Sequence, residues 1–192
     1  CHWRGSLKWF SKAKVVRVTG TPIRKDILYS QRCSSAEKFG LSSSKKTILV
    51  TGGSQGAQAI NEVILRCLPK LEPLSGELQI IHCTGEYGYE AAKAAYKQTD
   101  INAFVCSFLD DMGAACRAGA TTIAEITAIG IPAILIPYPH AADNHQYWNA
   151  MELASNGGGY LLQQIDLTPE KIIELIIDLF NNKEKYDRMK MF

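Results

Sequence analysis

The stretch TILVTGGSQGAQAINEVI, from Thr47 to Ile64, decides the fold of this chain. Aliphatic and β-branched residues run up to Thr51, and three glycines follow within the next five positions. Apolar residues then return at helical spacing at Ile60 and Ile64. The order predicts a buried strand, a tight glycine turn and a helix. Because a helix N-terminus presents unpaired N–H groups and a partial positive charge, this junction is suited to holding an anion.

Composition indicates an ordinary α/β domain. The 192 residues can bury one sizeable core, and a hydrophobic content of 46% with 21% charged residues is typical of such domains. A net charge of +2 does not indicate a nucleic-acid partner. The first 25 residues carry seven Lys or Arg and no acid, interleaved with Trp and Phe. This segment is either a solvated edge or a surface for an anionic membrane.

The six cysteines show no C-x-x-C pair and no metal-ligand spacing, and Cys67, Cys83 and Cys106 are expected to be small buried hydrophobes. The sequence has no signal peptide and no apolar run long enough to span a bilayer, so we expect a reducing, cytoplasmic setting. The chain begins at Cys1 rather than Met and stops within a charged helix. We therefore expect a fragment of a longer protein.

Strands and helices alternate along the chain. Strands are expected at 14–19, 48–51, 78–84, 101–107, 133–139 and 160–163, and helices at 57–68, 86–98, 121–130, 143–155 and from Pro169 onward. Residues 31–46 are expected to form a loop or linker that can include a helical turn, and Thr168 is expected to cap the final helix. The alternation predicts a doubly wound parallel sheet, in which ligands bind beyond the carboxyl ends of the strands.

The stretch RAGATTIAEITAIGIPAILIPYP, residues 117–139, offers a second anion site. Thr122 and Glu125 match the S/T-x-x-E spacing of a capping box. Glu125 can equally accept hydrogen bonds from two vicinal hydroxyls, as acidic residues do for ribose. The N–H groups of Ala120 to Ile123 form a second helix N-terminus that can receive a diphosphate. The local pattern leaves both roles of Glu125 open.

The stretch PYPHAADNHQYWNA, residues 137–150, predicts a further helix start. Asp143 is the expected N-cap, and Gln146 and His145 would project from the first turn toward the same crevice. Together with His140 these residues suggest a metal or an acid–base pair. We expect no metal, because no Cys, His or Glu partner falls at ligand spacing. The two aromatic residues after Gln146 are expected in the core.

Together, TGGSQGAQAIN, GATTIAEITAIGIPAILIPYP and DNHQYWNA resemble the donor-binding half of the bacterial undecaprenyl-diphospho-muramoylpentapeptide N-acetylglucosaminyltransferases, which make lipid II for peptidoglycan. The likeness runs from about Val15 to the last helix, with the three motifs in the same order. It implies one Rossmann-like half of a two-domain GT-B fold. Residues 1–23 would be a remnant of the N-terminal domain and linker, and residues 24–192 the C-terminal UDP-GlcNAc-binding domain.

The resemblance implies a metal-independent, inverting hexosyltransferase without a cofactor. Arg24 and Ser54 would contact the diphosphate, Leu109 the uracil through its backbone, and Glu125 the ribose hydroxyls. Gln146 would bind the GlcNAc hydroxyls, whereas a second Gln that often precedes it in the family is His145 here. The nucleotide's phosphates would be wrapped by a short segment, namely Ala120, Thr121, Thr122, Ile123 and Ala124.

Departure of UDP leaves negative charge on a diphosphate. Many glycosyltransferases neutralise it with a metal held by Asp-x-Asp, but this chain has only Asp110-Asp111. Two helix N-termini and Arg24 are expected to take that role instead.

In the family the N-terminal domain supplies the catalytic base, the acceptor site and the loops that face the membrane, so the catalytic residue is unknown here. The resemblance implies a peripheral protein at the cytoplasmic face of the cell membrane that binds UDP-N-acetylglucosamine, and no nucleic acid. Only MGAAC separates Asp111 from Arg117, where the family has a helical turn and another strand. Either the sheet is threaded differently or about one strand has been lost.

Two other functions fit parts of the pattern. A UDP-GlcNAc 2-epimerase shares the two-domain architecture, but no clear acid–base set lies near the expected sugar site. A sugar-nucleotide-binding subunit that needs a separate membrane-bound partner is the other alternative. The N-terminal strand and the segment TGTPIR disfavour it, since an independent subunit should begin near its first strand.

Overall fold

The computed structural model describes Lys12, Lys14, Val15 and Arg17 together with residues 36–52, 57–108 and 120–191. Strands and helices alternate through these ranges, in agreement with the expected α/β class. In chain order they are β1 (Lys46–Thr51), α1 (Gln58–Leu71), β2 (Leu78–Cys83), α2 (Tyr89–Tyr96), β3 (Asn102–Cys106), α3 (Ala120–Ile129), β4 (Ala133–Leu135), α4 (His145–Ser155), β5 (Gly159–Leu161), α5 (Pro169–Asn181) and α6 (Lys183–Lys190).

The described strands form two parallel sheets, whereas the sequence predicts a single one. β1, β2 and β3 are neighbours in that order, with Val50 opposite His82 and His82 opposite Val105. β4 pairs with β5 in a second sheet. In the part of the chain that the structure describes, no hydrogen-bonded ladder joins the two sheets. The short segment after Asp111, where the family resemblance implies one more strand, lies outside the described residues.

β2 is the centre of the first sheet, and all six of its residues are buried. Alternate side chains point to opposite faces of a strand. Leu78 and Ile80 pack into the main core, whereas Ile81 and Cys83 pack on the other face near the helical turn at residues 36–38. A strand covered on both faces is expected for a parallel sheet.

Helices α1 and α5 cover the main core together. Ile64 and Leu68 of α1 are buried and Ile60 packs beside them, which confirms the predicted apolar face. α5 contributes Ile172 and Ile176 to the same cluster. The core therefore joins two helices that are far apart in the sequence.

Helix ends test the local predictions. Thr168 caps α5, because its side chain accepts a hydrogen bond from the Lys171 N–H at 3.2 Å. Gly130 follows α3 with a φ of 65°, as a helix-ending glycine should. Asn182 then caps a separate helix, α6, which was not predicted as a distinct element.

The prediction that Asp143 is the N-cap of α4 is wrong. α4 begins at His145, and both Asp143 and Asn144 have a φ of 52°. Asp and Asn tolerate this left-handed conformation better than other residues with a β-carbon. The two residues close a 3₁₀ turn over Ala142–Asn144, so the α-helix starts after them.

Two further elements are shorter than predicted. β4 ends at Leu135 instead of residue 139, since Pro137 and Pro139 have no N–H to donate to a ladder. α2 begins at Tyr89 instead of Glu86. The described positions of the strand expected at 14–19, namely Lys14, Val15 and Arg17, are not in a strand, and the Val15 side chain is 75% exposed. The other three positions lie outside the described residues.

The cysteine predictions hold for the residues that can be checked. Cys67 and Cys83 are buried, Cys106 is half-buried, and all three are free thiols. Within the described ranges, no helix combines the length and apolar character that a membrane span requires.

Candidate functional site

The first half of the candidate site lies where β1 ends. Gly52 follows this strand and α1 begins at Gln58; Gly53, Gly56 and Ser54 lie outside the described residues. Ala57, at the N-cap, is extended and makes no side-chain capping bond. The first turn of α1 carries no acidic residue, so its positive end is not compensated there by a side chain. This helix start is suited to an anion.

The second half lies at the start of α3. Ala120, Thr121 and Thr122 form its first turn, which also lacks an acidic residue. The capping-box reading of Thr122 and Glu125 is wrong, because the helix already includes Ala120 and Thr122 is therefore inside it.

Glu125 is 6% exposed, which is unusual for a glutamate. Its neighbours Ile123 and Ile126 are also buried, and Ala124 is half-buried. Burying a carboxylate is costly unless hydrogen bonds satisfy it. An acidic residue in the second turn of this helix is of the kind that accepts hydrogen bonds from ribose hydroxyls in nucleotide-binding folds.

Gln146 is the second residue of α4 and is half-buried. Its Oε1 accepts a hydrogen bond from the Tyr138 N–H at 2.9 Å. The side chain is thereby oriented by the backbone that follows β4. The Nε2 group carries its remaining donors, which can serve hydroxyl oxygens.

The aromatic residues beside Gln146 differ from expectation. Trp148 is 53% exposed, so its predicted place in the core is wrong, whereas Tyr147 is half-buried. The face of α4 that is buried carries Ala150 and Leu153. Since successive helix residues are separated by about 100°, Trp148 lies well away from Ala150 around the helix.

Metal binding finds no support in the part of the chain that the structure describes, where His, Cys, Asp and Glu form no group of three or more able to hold an ion. His140 and His145, with Asp143, were the residues that suggested one. Arg24 and Leu109 lie outside the described ranges.

Asn61, His82 and Tyr96 are buried polar residues that were not predicted from the sequence. His82 is a polar residue inside the apolar run LQIIHC, and Asn61 lies on the buried face of α1. Both residues are polar at positions where the periodicity of the strand or helix calls for an apolar residue, and this mismatch could have identified them from the sequence.

Solved structures define the class of protein. The MurG of Acinetobacter baumannii superposes with a TM-score of 0.69 at 32% sequence identity, over 92% of this chain and 50% of that one. The calicheamicin glycosyltransferase CalG4 matches with a TM-score of 0.55 at 17% identity, over 77% and 38% of the two chains. The fold is therefore the Rossmann-like half of a GT-B glycosyltransferase.

The sequence model of the glycosyltransferase family 28 C-terminal domain matches residues 47–192, and the chain belongs to this family. Two curated relatives are called UDP-N-acetylglucosamine--N-acetylmuramyl-(pentapeptide) pyrophosphoryl-undecaprenol N-acetylglucosamine transferase. The one from Desulforamulus reducens is 38% identical over 96% of this chain and 53% of its own length. The one from Geobacter is 40% identical over 94% and 50%. The chain thus spans about half the length of the curated relatives it matches.

Proposed function

We propose that this chain is the donor-binding half of an inverting transferase that moves N-acetylglucosamine from UDP-GlcNAc to undecaprenyl-diphospho-muramoylpentapeptide in peptidoglycan synthesis. The names of its relatives describe that transfer for those proteins. The structural observation that carries the proposal is the buried Glu125, five residues after the first residue of α3. In nucleotide-binding α/β folds an acidic residue commonly holds the ribose hydroxyls.

The donor would lie across the carboxyl ends of the strands. Its diphosphate would meet the N–H groups at the starts of α1 and α3, with Arg24 and Ser54 beside it. Leu109 would contact the uracil through its backbone, and Glu125 the ribose. The Nε2 group of Gln146 would donate to GlcNAc hydroxyls, because its Oε1 already bonds to Tyr138.

The reaction then needs little chemistry from this half. An acceptor hydroxyl oxygen forms a bond to C1 of GlcNAc, and the C1–O bond to the β-phosphate breaks. The electron pair leaves with UDP, and a base in the other half takes the hydroxyl proton. The two helix N-termini and Arg24 stabilise the charge that develops on the leaving diphosphate, which is the kind of preorganised electrostatic contribution that lowers such barriers most.

The half-length match supports a division of the reaction between two halves of a longer protein. Residues 24–192 would be the donor domain, and residues 1–23 would lead to the half that binds the lipid-linked acceptor at the cytoplasmic face of the membrane. The chain alone is expected to bind UDP-GlcNAc weakly and to turn over nothing. Activity that appears on adding the N-terminal half of a relative would support this division.

Calorimetry with UDP, ADP and GDP tests the donor site. We expect UDP to bind more tightly than ADP or GDP. Glu125→Ala should weaken UDP binding by about 10- to 150-fold, the equivalent of one hydrogen bond to a charged group. Glu184→Ala is the matched control, because the Glu184 side chain is 88% exposed and lies on α6. Equal binding of all three nucleotides, or equal effects of the two substitutions, would contradict the proposal.

A further inference from the structure

A network of buried polar side chains lies beneath the carboxyl ends of β1 and β2. The Tyr96 hydroxyl oxygen is 3.1 Å from His82 Nδ1, and His82 Nε2 is 3.1 Å from Asn61 Oδ1. Asn61 Nδ2 donates a hydrogen bond to the Thr84 carbonyl oxygen at 2.8 Å. His82 is fully buried, and the other three residues are also buried. We call these contacts the Asn61–His82–Tyr96 network.

The direction of every hydrogen bond in this network is determined. The Thr84 carbonyl can only accept, so the Asn61 amide turns its nitrogen toward Thr84 and its oxygen toward His82. His82 Nε2 must therefore carry the ring proton, and Nδ1 accepts from the Tyr96 hydroxyl. Burial lowers the pKa of His82 to about 4, so this neutral tautomer persists at physiological pH.

The network connects the start of α1 with β2, the strand that pairs with β1. Asn61 lies in the first turn of α1, and its N–H bonds to the Ala57 carbonyl at 2.9 Å. His82 lies in β2 opposite Val50 of β1, and Val50 precedes Gly52 by two residues. Thr84 opens the loop that leads to α2. The bonds therefore set how the start of α1 sits relative to the ends of β1 and β2.

Stability alone does not require these polar groups. Replacing a buried hydrogen-bonded pair with apolar groups of the same shape is often nearly neutral. Hydrogen bonds differ from apolar contacts in that they fix direction, and binding sites need side chains and backbone amides held within narrow limits. The network is therefore suited to fixing the orientation of the start of α1 relative to β2.

We propose that Asn61, His82 and Tyr96 are positioning residues for the diphosphate end of the donor. They touch no substrate; they hold the start of α1 so that the first N–H groups of this helix meet the diphosphate together. The inference rests on the proposed function and deepens it. It predicts that disturbing the network weakens recognition of a diphosphate more than recognition of a monophosphate.

Gly88 provides a way to disturb the network without altering its hydrogen-bonding groups. A Cβ at Gly88 would lie 2.5 Å from Asn61 Nδ2 and 3.1 Å from the Thr84 Cβ. Gly88→Ala should therefore displace the Asn61 side chain. A Cβ at Gly76 would have no atom within 4 Å, so Gly76→Ala is the matched control.

The experiment measures the affinities of UDP and UMP by calorimetry for the wild-type chain, Gly88→Ala, Tyr96→Phe and Gly76→Ala. We expect Gly88→Ala and Tyr96→Phe to lower the UDP-to-UMP affinity ratio about tenfold, the size of one lost hydrogen bond to a charged group. Gly76→Ala should keep the wild-type ratio. Melting temperatures measured alongside identify variants that bind less only because they unfold.

The outcomes separate the two proposals. If the wild-type chain binds UDP but Gly88→Ala and Tyr96→Phe keep its UDP-to-UMP ratio, the network is structural and the inference is overturned. A parallel loss of both affinities would overturn it too, since a positioning role requires a selective loss. If the wild-type chain binds no UDP, the proposed function is wrong, and the inference that rests on it is wrong as well.

Discussion

The three-stranded sheet and the two-stranded sheet are made of the same kind of parallel unit, yet the first has a fully buried central strand and the second has none among its described strands. β1 and β2 each contain six residues and β3 contains five, and β2 is buried throughout. β4 and β5 contain three residues each and are mostly half-buried. The strand pairs of the first sheet match six and five residues, whereas the pair in the second sheet matches only three.

This difference matters for the candidate site, because the site has one half on each sheet. The start of α1 and the Asn61–His82–Tyr96 network belong to the first sheet, and Glu125 and Gln146 belong to helices beside the second. Leu49 of β1 packs against the cluster that contains Ile123 and Ile126 of α3. In the described residues the two halves are thus aligned by side-chain packing rather than by a continuous ladder of strands.

The same isoleucine-to-alanine substitution should lower the free energy of unfolding more in the first sheet than in the second. Ile80→Ala in β2 should lower the free energy of unfolding by about 2–5 kcal/mol, since Ile80 is 1% exposed and its removal leaves a cavity. Ile134→Ala, in the middle of β4, should cost about 1 kcal/mol because that side chain is only half-buried. Urea denaturation measures both, and equal losses would show that the second sheet is packed as tightly as the first.

Acid should destabilise the first region through His82. The His82 pKa is 6.5 in the unfolded chain and about 4 in the folded chain, where burial disfavours the imidazolium. Above pH 6.5 both states are neutral; as the pH falls from 6.5 to about 4, only the unfolded state gains the proton. This group should therefore remove roughly 3 kcal/mol of stability across that window.

His82→Gln isolates this contribution, because glutamine does not titrate. The difference in unfolding free energy between wild type and His82→Gln, measured by denaturation at several pH values, should change between pH 6.5 and about 4. A constant difference would mean that His82 does not stay neutral in the folded chain.

A glycine in each region tests where the chain is closely packed. Gly130 and Gly40 have nearly the same φ, 65° and 64°, so alanine should cost each about 1 kcal/mol in backbone strain. A Cβ at Gly130 would also lie 2.6 Å from the Lys190 carbonyl oxygen, and the overpacking should raise the total to about 2–4 kcal/mol. A Cβ at Gly40 meets nothing within 4 Å. Thermal unfolding of the two variants should rank them in this order, and the reverse order would contradict the packing of α6 against Gly130.

The smallest effect is expected at the cap of α5, the helix that ties the second region to the core. Thr168→Ala removes the acceptor for the Lys171 N–H and should cost about 1 kcal/mol. Thr168→Ser keeps a hydroxyl and should recover most of that loss. Denaturant midpoints measure both, and an Ala variant as stable as wild type would show that the cap contributes nothing.

Much of the fold could be predicted because the signals are local. The apolar spacing of α1, the β-branched run of β1 and the Thr168-Pro169 start of α5 each act within a few residues. The failures are of two kinds. Asp143 is a residue type that favours the N-cap, and this predicted a cap, but its backbone is left-handed and the helix begins later. Trp148 was assigned to the core although α4 buries a different face.

The candidate site divides in the same way. Glu125 and Gln146 could be nominated from motifs that also revealed the family. The Asn61–His82–Tyr96 network could not, since its members are 14 and 21 residues apart and come together only when α1, β2 and α2 pack.

By itself, then, the sequence determined the alternation of strands and helices, the apolar face of α1 and membership of a glycosyltransferase family. Backbone propensity, side-chain periodicity and capping act over short distances, which makes these features visible in order along the chain. Tertiary structure alone decided that the described strands form two sheets, that Glu125 is buried and that Asn61 faces His82. Those outcomes depend on which distant surfaces exclude water from one another, and no local pattern carries that information.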